Sequence, residues 1–246
     1  MYGAAVKRIS DQAFNILFPR RCALCGENLL ADALSELCGQ CRQTLSINDS
    51  ASCRLCGQSI DGSLVDAGIV KCGHCRIKEP PLEAAVFGLR YEGTAREIIH
   101  KFKFGGGERL AAGIAHILSA RLHRSVEMDH MDMVIPVPLH IGRLYSRGYN
   151  QSYLIAREVG RVFSLPVDAA AIFRRRATPA QWSQTRAQRF VNMKNAFGLR
   201  KTTAISGKRL LLVDDIMTTG ATMFEAARLL KKSGAAAVVG AVAARA

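Results

Sequence analysis

The sequence predicts an α/β fold, a parallel sheet with helices on both faces, preceded by a small cysteine-rich module. Two observations carry that prediction. All eight cysteines fall between positions 22 and 75, and beyond position 81 apolar runs of strand length alternate with stretches of helical spacing. The last such pair begins with Leu210-Leu211-Leu212-Val213 and continues through Asp214-Asp215-Ile216-Met217-Thr218-Thr219-Gly220-Ala221-Thr222. It reads as a buried strand that ends in two carboxylates and a Thr/Gly turn, with a helix over 221–232.

The cysteines come first in the chain. They form four Cys-x-x-Cys pairs: Cys22/Cys25, Cys38/Cys41, Cys53/Cys56 and Cys72/Cys75. Thiolates two residues apart bend around one cation, and two such knuckles complete a tetrahedral four-thiolate site, so the spacing predicts two zinc ions. Sequential pairing, first with second and third with fourth, is the expected arrangement; spacing alone also permits a crossed one. With every coordination position filled, the zinc is expected to be structural, supplying folding free energy that about 60 residues with a small core otherwise lack. His74 reads as a knuckle residue rather than a ligand. Disulfides are the competing chemistry. They are disfavoured because Lys7, Arg8 and Asp11 interrupt any apolar export core in residues 1–18, which makes a cytoplasmic location the expectation. No apolar run has the length of a membrane span, so no integral membrane segment is expected. Val6, Ile9, Ala13, Phe14, Ile16 and Leu17 can form one face of a short helix packed on the module. Glu79-Pro80-Pro81 marks the boundary, dividing the chain into residues 1–80 and 81–246.

In the second domain, Ala84 to Tyr91 alternates as a strand. Helices follow at about Thr94 to Lys103 and Glu108 to His123, separated by Gly105-Gly106-Gly107. Met133 to Val137 is a short buried strand ending in a tight turn, Asn150 to Phe163 a helix, Val167 to Phe173 a strand, Arg209 to Val213 the acidic-motif strand and Ala236 to Ala243 the last strand. Ligands of open α/β sheets bind at the C-terminal ends of the strands, where the two acids fall.

The motif's chemistry follows from its residue types. Amides of Met217 to Thr222, with the hydroxyls of Thr218, Thr219 and Thr222, can surround a phosphate at the positive end of a helix, and Gly220 permits close backbone approach. Asp214 and Asp215 offer acceptors to a ribose diol and can hold a magnesium ion through water. A nucleotide hydrolase would need a GxxxxGK[ST] loop. Ser206-Gly207-Lys208 is the nearest approach and fails, since Thr202 and Arg209 occupy the flanking motif positions. The glycines at 105–107 lack the spacing of a dinucleotide fingerprint.

The chain carries a formal charge of +14, which favours polyanionic ligands. From Ala169 to Val213 there is no Asp or Glu, while Arg174, Arg175, Arg176, Arg186, Arg189, Lys194, Arg200, Lys201, Lys208 and Arg209 lie in that window. This predicts an anion-facing surface.

The acidic-Thr segment resembles the phosphoribosyl-pyrophosphate (PRPP) motif of type I phosphoribosyltransferases. The wider chain resembles the ComF family of competence-associated proteins, through Ile99-His100-Lys101-Phe102-Lys103, Ile135-Pro136-Val137-Pro138-Leu139-His140, Arg147-Gly148-Tyr149-Asn150-Gln151 and Asn195-Ala196-Phe197. The resemblance implies a sheet of the type I phosphoribosyltransferase type behind a double zinc ribbon. It assigns Asp214 and Asp215 to the ribose hydroxyls and to catalysis, and Met217, Thr218, Thr219, Gly220, Ala221 and Thr222 to the 5-phosphate. The turn Pro138, Leu139, His140, Ile141, Gly142 and Arg143, with Arg147, becomes the pyrophosphate loop. Arg174 to Asn195, including Thr178-Pro179 and Gln181-Trp182-Ser183-Gln184, becomes a mobile loop over the sugar, where Trp182 either stacks a base or anchors the loop. PRPP with magnesium is the expected ligand, and single-stranded DNA and uptake-machinery proteins are the further partners implied. A metabolic phosphoribosyltransferase acting on an unidentified base or amine is the alternative.

Overall fold

A computed structural model describes residues 20–29, 36–47, 51–60, 70–104, 107–176, 185–200 and 204–246. The expected N-terminal helix and the segment containing Thr178, Pro179 and Trp182 lie outside the described residues. Two short helices belong to the cysteine module, α1 (Gly39–Gln43) and α2 (Gly73–Ile77). Then come β1 (Ala84–Arg90), α3 (Gly93–Phe104), α4 (Leu110–Ser125), β2 (Met133–Pro136), α5 (Ile141–Arg147) and α6 (Gln151–Phe163). The chain continues through β3 (Ile172–Arg174), α7 (Arg186–Met193), β4 (Phe197–Leu199), β5 (Arg209–Met217), α8 (Ala221–Lys232) and β6 (Ala237–Arg245).

Four strands form an all-parallel sheet in the order β1-β6-β5-β2. The apolar runs of β5 and β6 explain their central position: Leu210 to Val213 are fully buried, and β6 is buried from Ala237 to Ala244. One core joins α3, α4 and α6 to one side of the sheet, with Leu211 and Val213 contributing from β5. Another joins α8, β3 and β4 to Leu210 and Leu212. Alternation along a single strand thus feeds both layers.

The cysteine module closes the β1 edge, which would otherwise present unpaired amides. The Arg90 N–H donates to the Ser46 carbonyl at 2.9 Å, Ile47 bridges Leu89, and the Ala85 N–H donates to the Arg54 carbonyl at 2.8 Å. The module is therefore packed into the sheet. Cys22 and Leu37 join one core, and Cys53, Leu55, Cys56 and Cys75 join the other.

Most expected elements appear within a residue or two of their expected ends; four differ. β5, expected over Arg209 to Val213, runs on to Met217, because Asp214, Ile216 and Met217 keep their register with β6. The strand expected over Val167 to Phe173 is divided. Val167 makes a single parallel bridge to Val134, with Pro166 and Asp168 bonded to the same residue, and then the chain leaves the sheet to pair Ile172–Arg174 with β4. The turn after β2 is shorter than expected, because His140 caps a helix that starts at Ile141. The described end of the expected mobile loop is the helix α7, started by a capping box between Thr185 and Gln188. Among the described residues, no helix is long and apolar enough to cross a membrane.

Candidate functional site

β5 runs past both acids to Met217, since Ile216 and Met217 stay in register with Ala244 and Arg245. Asp214 and Asp215 are 8% and 9% exposed. Ser152 at the start of α6 donates its hydroxyl to Asp214 Oδ1 at 2.9 Å, and the Asp215 N–H donates to the same oxygen at 2.9 Å. Asp215 Oδ2 pairs with Lys103 Nζ at 3.0 Å. Burial, reinforced by the Asp215 charge, pushes the Asp214 carboxyl up to about 7.

The turn leads directly into α8. Gly220 is the N-cap, with φ at 83°, and no side chain caps the helix. A Cβ at Gly220 would come within 2.6 Å of the Phe224 ring and 2.7 Å of Met217 Cε, so packing and conformation both require glycine. The Ala221 N–H makes a long 3.4 Å bond to Thr219 Oγ1. Arg189 of α7 donates to the Thr218 hydroxyl at 3.1 Å, holding the turn from the side. Met217, Thr218, Thr219, Gly220, Ala221 and Thr222 thus lie together between the acids and a helix start.

The Arg147-Gly148-Tyr149-Asn150-Gln151 stretch has a structural reason at each position. Arg147 ends α5, lies 4.8 Å over the Phe104 ring and donates to Gln151 Oε1 at 3.3 Å. Gly148 takes the left-handed conformation that terminates α5. Tyr149 donates to the Phe102 carbonyl at 2.6 Å, tying the end of α3, and with it Lys103, to the site. Asn150 caps α6 through Ser152 and donates to the Val137 carbonyl at 3.1 Å, fixing the end of β2. Gln151 is 1% exposed, and its Nε2 has no hydrogen-bond partner among the described residues.

Burial lowers the Arg147 pKa, with the Asp215 charge acting in the opposite direction and Arg143 in the same one. Arg174 is pushed down to about 10, chiefly by burial and then by Arg143, while Asp214 opposes the shift. Arg143, Arg147 and Arg174 therefore share one field with the two acids. Pro138, Leu139 and His140 line the preceding turn, each half-buried. The His140 Nδ1 accepts the Gly142 N–H at 3.2 Å, which commits that nitrogen to capping α5.

Five residues at the site were not among the expected ligands: Lys103, Gln151, Ser152, Arg174 and Arg189. Lys103 and Gln151 lie in stretches that resemble family signatures; sequence distance hides the meeting of Lys103 with Asp215, whereas Gln151 meets Arg147 only four residues away, across the break between α5 and α6. Arg174 and Arg189 came from the acid-free window. Other members of that window are structural: Arg176 donates to the Asn192 and Lys194 carbonyls at 3.0 Å, and Arg209 pairs with Glu83 at 3.0 and 3.1 Å.

The cysteines assemble as Cys22, Cys25, Cys38 and Cys41 and as Cys53, Cys56, Cys72 and Cys75, with the sulfurs of each group within 4.8 Å of one another. Sequential pairing is thereby the observed one. Metal–sulfur bonds of about 2.3 Å place tetrahedral sulfurs about 3.8 Å apart, and the Cys25–Cys38 and Cys56–Cys72 sulfurs are 3.6 Å apart. Backbone N–H groups of Cys38 and Cys41 point at the sulfurs of Cys22 and Cys38. The donor set fits two structural zinc ions with no open coordination position.

Comparison with known proteins agrees with both halves. Residues 13–76 match the double zinc ribbon domain, and residues 149–246 match the phosphoribosyl transferase domain. The DNA utilization protein YhgH of Escherichia coli (strain K12) is 33% identical over 214 residues, covering 82% of this chain and 93% of that protein. Competence protein F of Haemophilus influenzae is 30% identical, covering 88% and 93%. Competence protein ComFC of Bacillus subtilis is 27% identical, covering 83% and 81%.

Proposed function

The chain belongs to the ComF family, in which a double zinc ribbon precedes a phosphoribosyltransferase domain, and from that premise we propose that it binds PRPP and handles single-stranded DNA during uptake. We place the division between its units at residues 80 and 81. The observation that carries the reading is the buried pair Asp214 and Asp215 at the end of β5, beside an uncapped helix start and within the field of Lys103, Arg143, Arg147 and Arg174. A phosphorylated pentose matches that order of charges. The diol meets the acids, the 5-phosphate meets the turn at 217–222, and the diphosphate meets Arg143 and Arg147 of α5 and Arg174 of β3.

Asp214 and Asp215 would hold magnesium, which would supply positive charge to the diphosphate. Arg147 and Arg174 donate to departing diphosphate oxygens, and burial strengthens those bonds. In a transfer, diphosphate leaves C1 with the bonding pair as a nucleophile of the acceptor bonds to C1; between the two the ring gains oxocarbenium character, which the neighbouring carboxylates stabilise. Lys103 pairs with Asp215, and Ser152 orients Asp214. A second reading, a metabolic transferase acting on a base or amine, is favoured by the Asp214 carboxyl, whose position near 7 suits proton transfer.

DNA handling rests on the relatives' names and on the basic surface carried by Arg175, Lys194 and Arg200, all exposed. Calorimetry with PRPP and magnesium tests the pocket: wild type binds, and the double substitution Asp214→Asn with Asp215→Asn loses at least 100-fold in affinity while its circular dichroism is retained. Equal affinity in the two proteins removes the assignment. Binding of a single-stranded oligonucleotide must weaken steeply between low and moderate salt. An affinity that is absent, or flat with salt, removes the DNA reading and leaves the transferase.

A further inference from the structure

We propose that Arg245 is a positioning residue for the phosphate turn, coupling it to the second cysteine cluster so that zinc held there and sugar phosphate bound at the turn stabilise one another. The inference rests on the PRPP reading of that turn.

Its geometry is specific. β6 lies between β1 and β5 and ends level with β5, with Arg245 opposite Met217 in the register. Arg245 Nε donates to the carbonyl of Cys56 at 2.6 Å, and its Nη1 donates to the carbonyl of Met217 at 3.2 Å. The Ala246 N–H donates to the same Met217 carbonyl at 3.0 Å, while the Arg245 carbonyl accepts the Tyr91 N–H at 2.7 Å. One guanidinium therefore spans a zinc knuckle and the first residue of the phosphate turn.

The Met217 carbonyl and the Thr218 N–H belong to one planar trans peptide. Clamping the carbonyl from the β6 side directs that amide the opposite way, and Arg189 fixes the Thr218 hydroxyl beside it. At the other end of the bridge the knuckle is equally constrained. Gly57 has φ at 67°, its N–H donates to the Cys53 carbonyl at 2.8 Å, and a Cβ there would come within 2.4 Å of the Phe87 ring of β1.

Charge makes the bridge sensitive to the metal. Four thiolates on a divalent ion carry a net charge of about −2. Arg245 is half-buried, with its guanidinium held against the knuckle through the Cys56 carbonyl. Loss of the metal frees the knuckle, so the Cys56 carbonyl loses its fixed position and Arg245 its anchor on that side. Because coupling free energies are reciprocal, the ligand must in turn slow metal loss.

The experiment uses the full chain with zinc at both sites and follows zinc release to a chromogenic chelator, with and without PRPP and magnesium, alongside calorimetry of PRPP. In wild type, PRPP slows one release phase roughly fivefold or more, and that phase persists when the first site is removed by Cys41→Ser. In Arg245→Met, with Arg245→Lys as the milder variant, both zinc ions are retained but release no longer depends on PRPP, and PRPP affinity falls about tenfold. If PRPP binds to wild type yet leaves both phases unchanged, the coupling is overturned and the pocket stands. If the slowing survives in both Arg245 variants, the bridge is not its carrier. If wild type gives no binding heat at all, the PRPP reading fails and the coupling fails with it.

Discussion

The two cysteine clusters are built alike and used differently. Each opens with a Cys-x-x-Cys-Gly knuckle whose glycine has positive φ and donates to the first cysteine carbonyl, Gly26 to Cys22 and Gly57 to Cys53. Each closes with a short helix, α1 or α2, over its second pair. Yet Cys25 is exposed and Cys38 and Cys41 are half-buried, whereas Cys53, Cys56 and Cys75 are buried. A Cβ at Gly26 would meet nothing within 4 Å; one at Gly57 would strike Phe87. Both clusters cover the β1 edge, but the first gives one buried cysteine, Cys22, to a core, whereas the second gives three, Cys53, Cys56 and Cys75. Surroundings decide how much of the molecule depends on each metal.

The largest expected effect separates them. Cys53→Ser should destabilise the parallel sheet as well as the ribbon, by several kcal/mol on the scale of about 10 kcal/mol for a structural zinc ion, whereas Cys25→Ser should affect chiefly its own module. Thermal unfolding followed by far-ultraviolet circular dichroism distinguishes the two; equal losses would erase the contrast.

A smaller effect tests whether the pocket beside the second cluster is built at the expense of stability. The Asp214 carboxyl is raised from 3.8 to about 7 in the fold, so between those values the folded state binds more protons than the unfolded one. Its contribution to stability therefore falls as pH rises through that window and stays low above it. Asp214→Asn keeps an oxygen for Ser152 and for the Asp215 N–H and removes the buried charge. Above pH 7 it should raise stability by on the order of 1–4 kcal/mol, with no gain near pH 4. A denaturant series at both pH values measures this, and loss of stability at high pH would contradict it.

The smallest effect concerns the link from α3 to the acids. Tyr149→Phe removes the bond to the Phe102 carbonyl and should cost about 1 kcal/mol of stability, with a few-fold loss of PRPP affinity as Lys103 loses its anchor. Unchanged affinity would show that α3 holds Lys103 without help.

Several of these contacts show where sequence reading stops. The motif from Leu210 to Thr222 was legible because every part of it is local: an apolar strand, two acids, a glycine at a positive-φ position, a helix start. Cysteine spacing declared knuckles for the same reason. Val167 to Phe173 reads as one strand, yet its apolar residues serve two partners, Val167 beside β2 and Ile172 in the β3–β4 pair. Nothing within that stretch says where the chain changes sheets. The helix α7 lies within the stretch that resembles a closing loop, although Thr185 and Gln188 form a capping box that is visible in the sequence. Asn195, at φ 57° with its N–H on Glu225 Oε1, was noted as a signature and proved to be the turn between α7 and β4.

By itself, the sequence determined the metal chemistry, the strand–acid–turn–helix order and the excess of positive charge, because spacing, periodicity and composition act between near neighbours. Only the tertiary structure decided that Lys103 meets Asp215, that Ser152 holds Asp214 and that Arg245 joins the second cysteine cluster to the turn at 217–222. Those pairs are separated by 112, 62 and 189 residues (215 − 103, 214 − 152 and 245 − 56) and are joined by a parallel sheet that brings distant strand ends to one edge. Contacts at such separation depend on strand order and register, which local propensity does not encode.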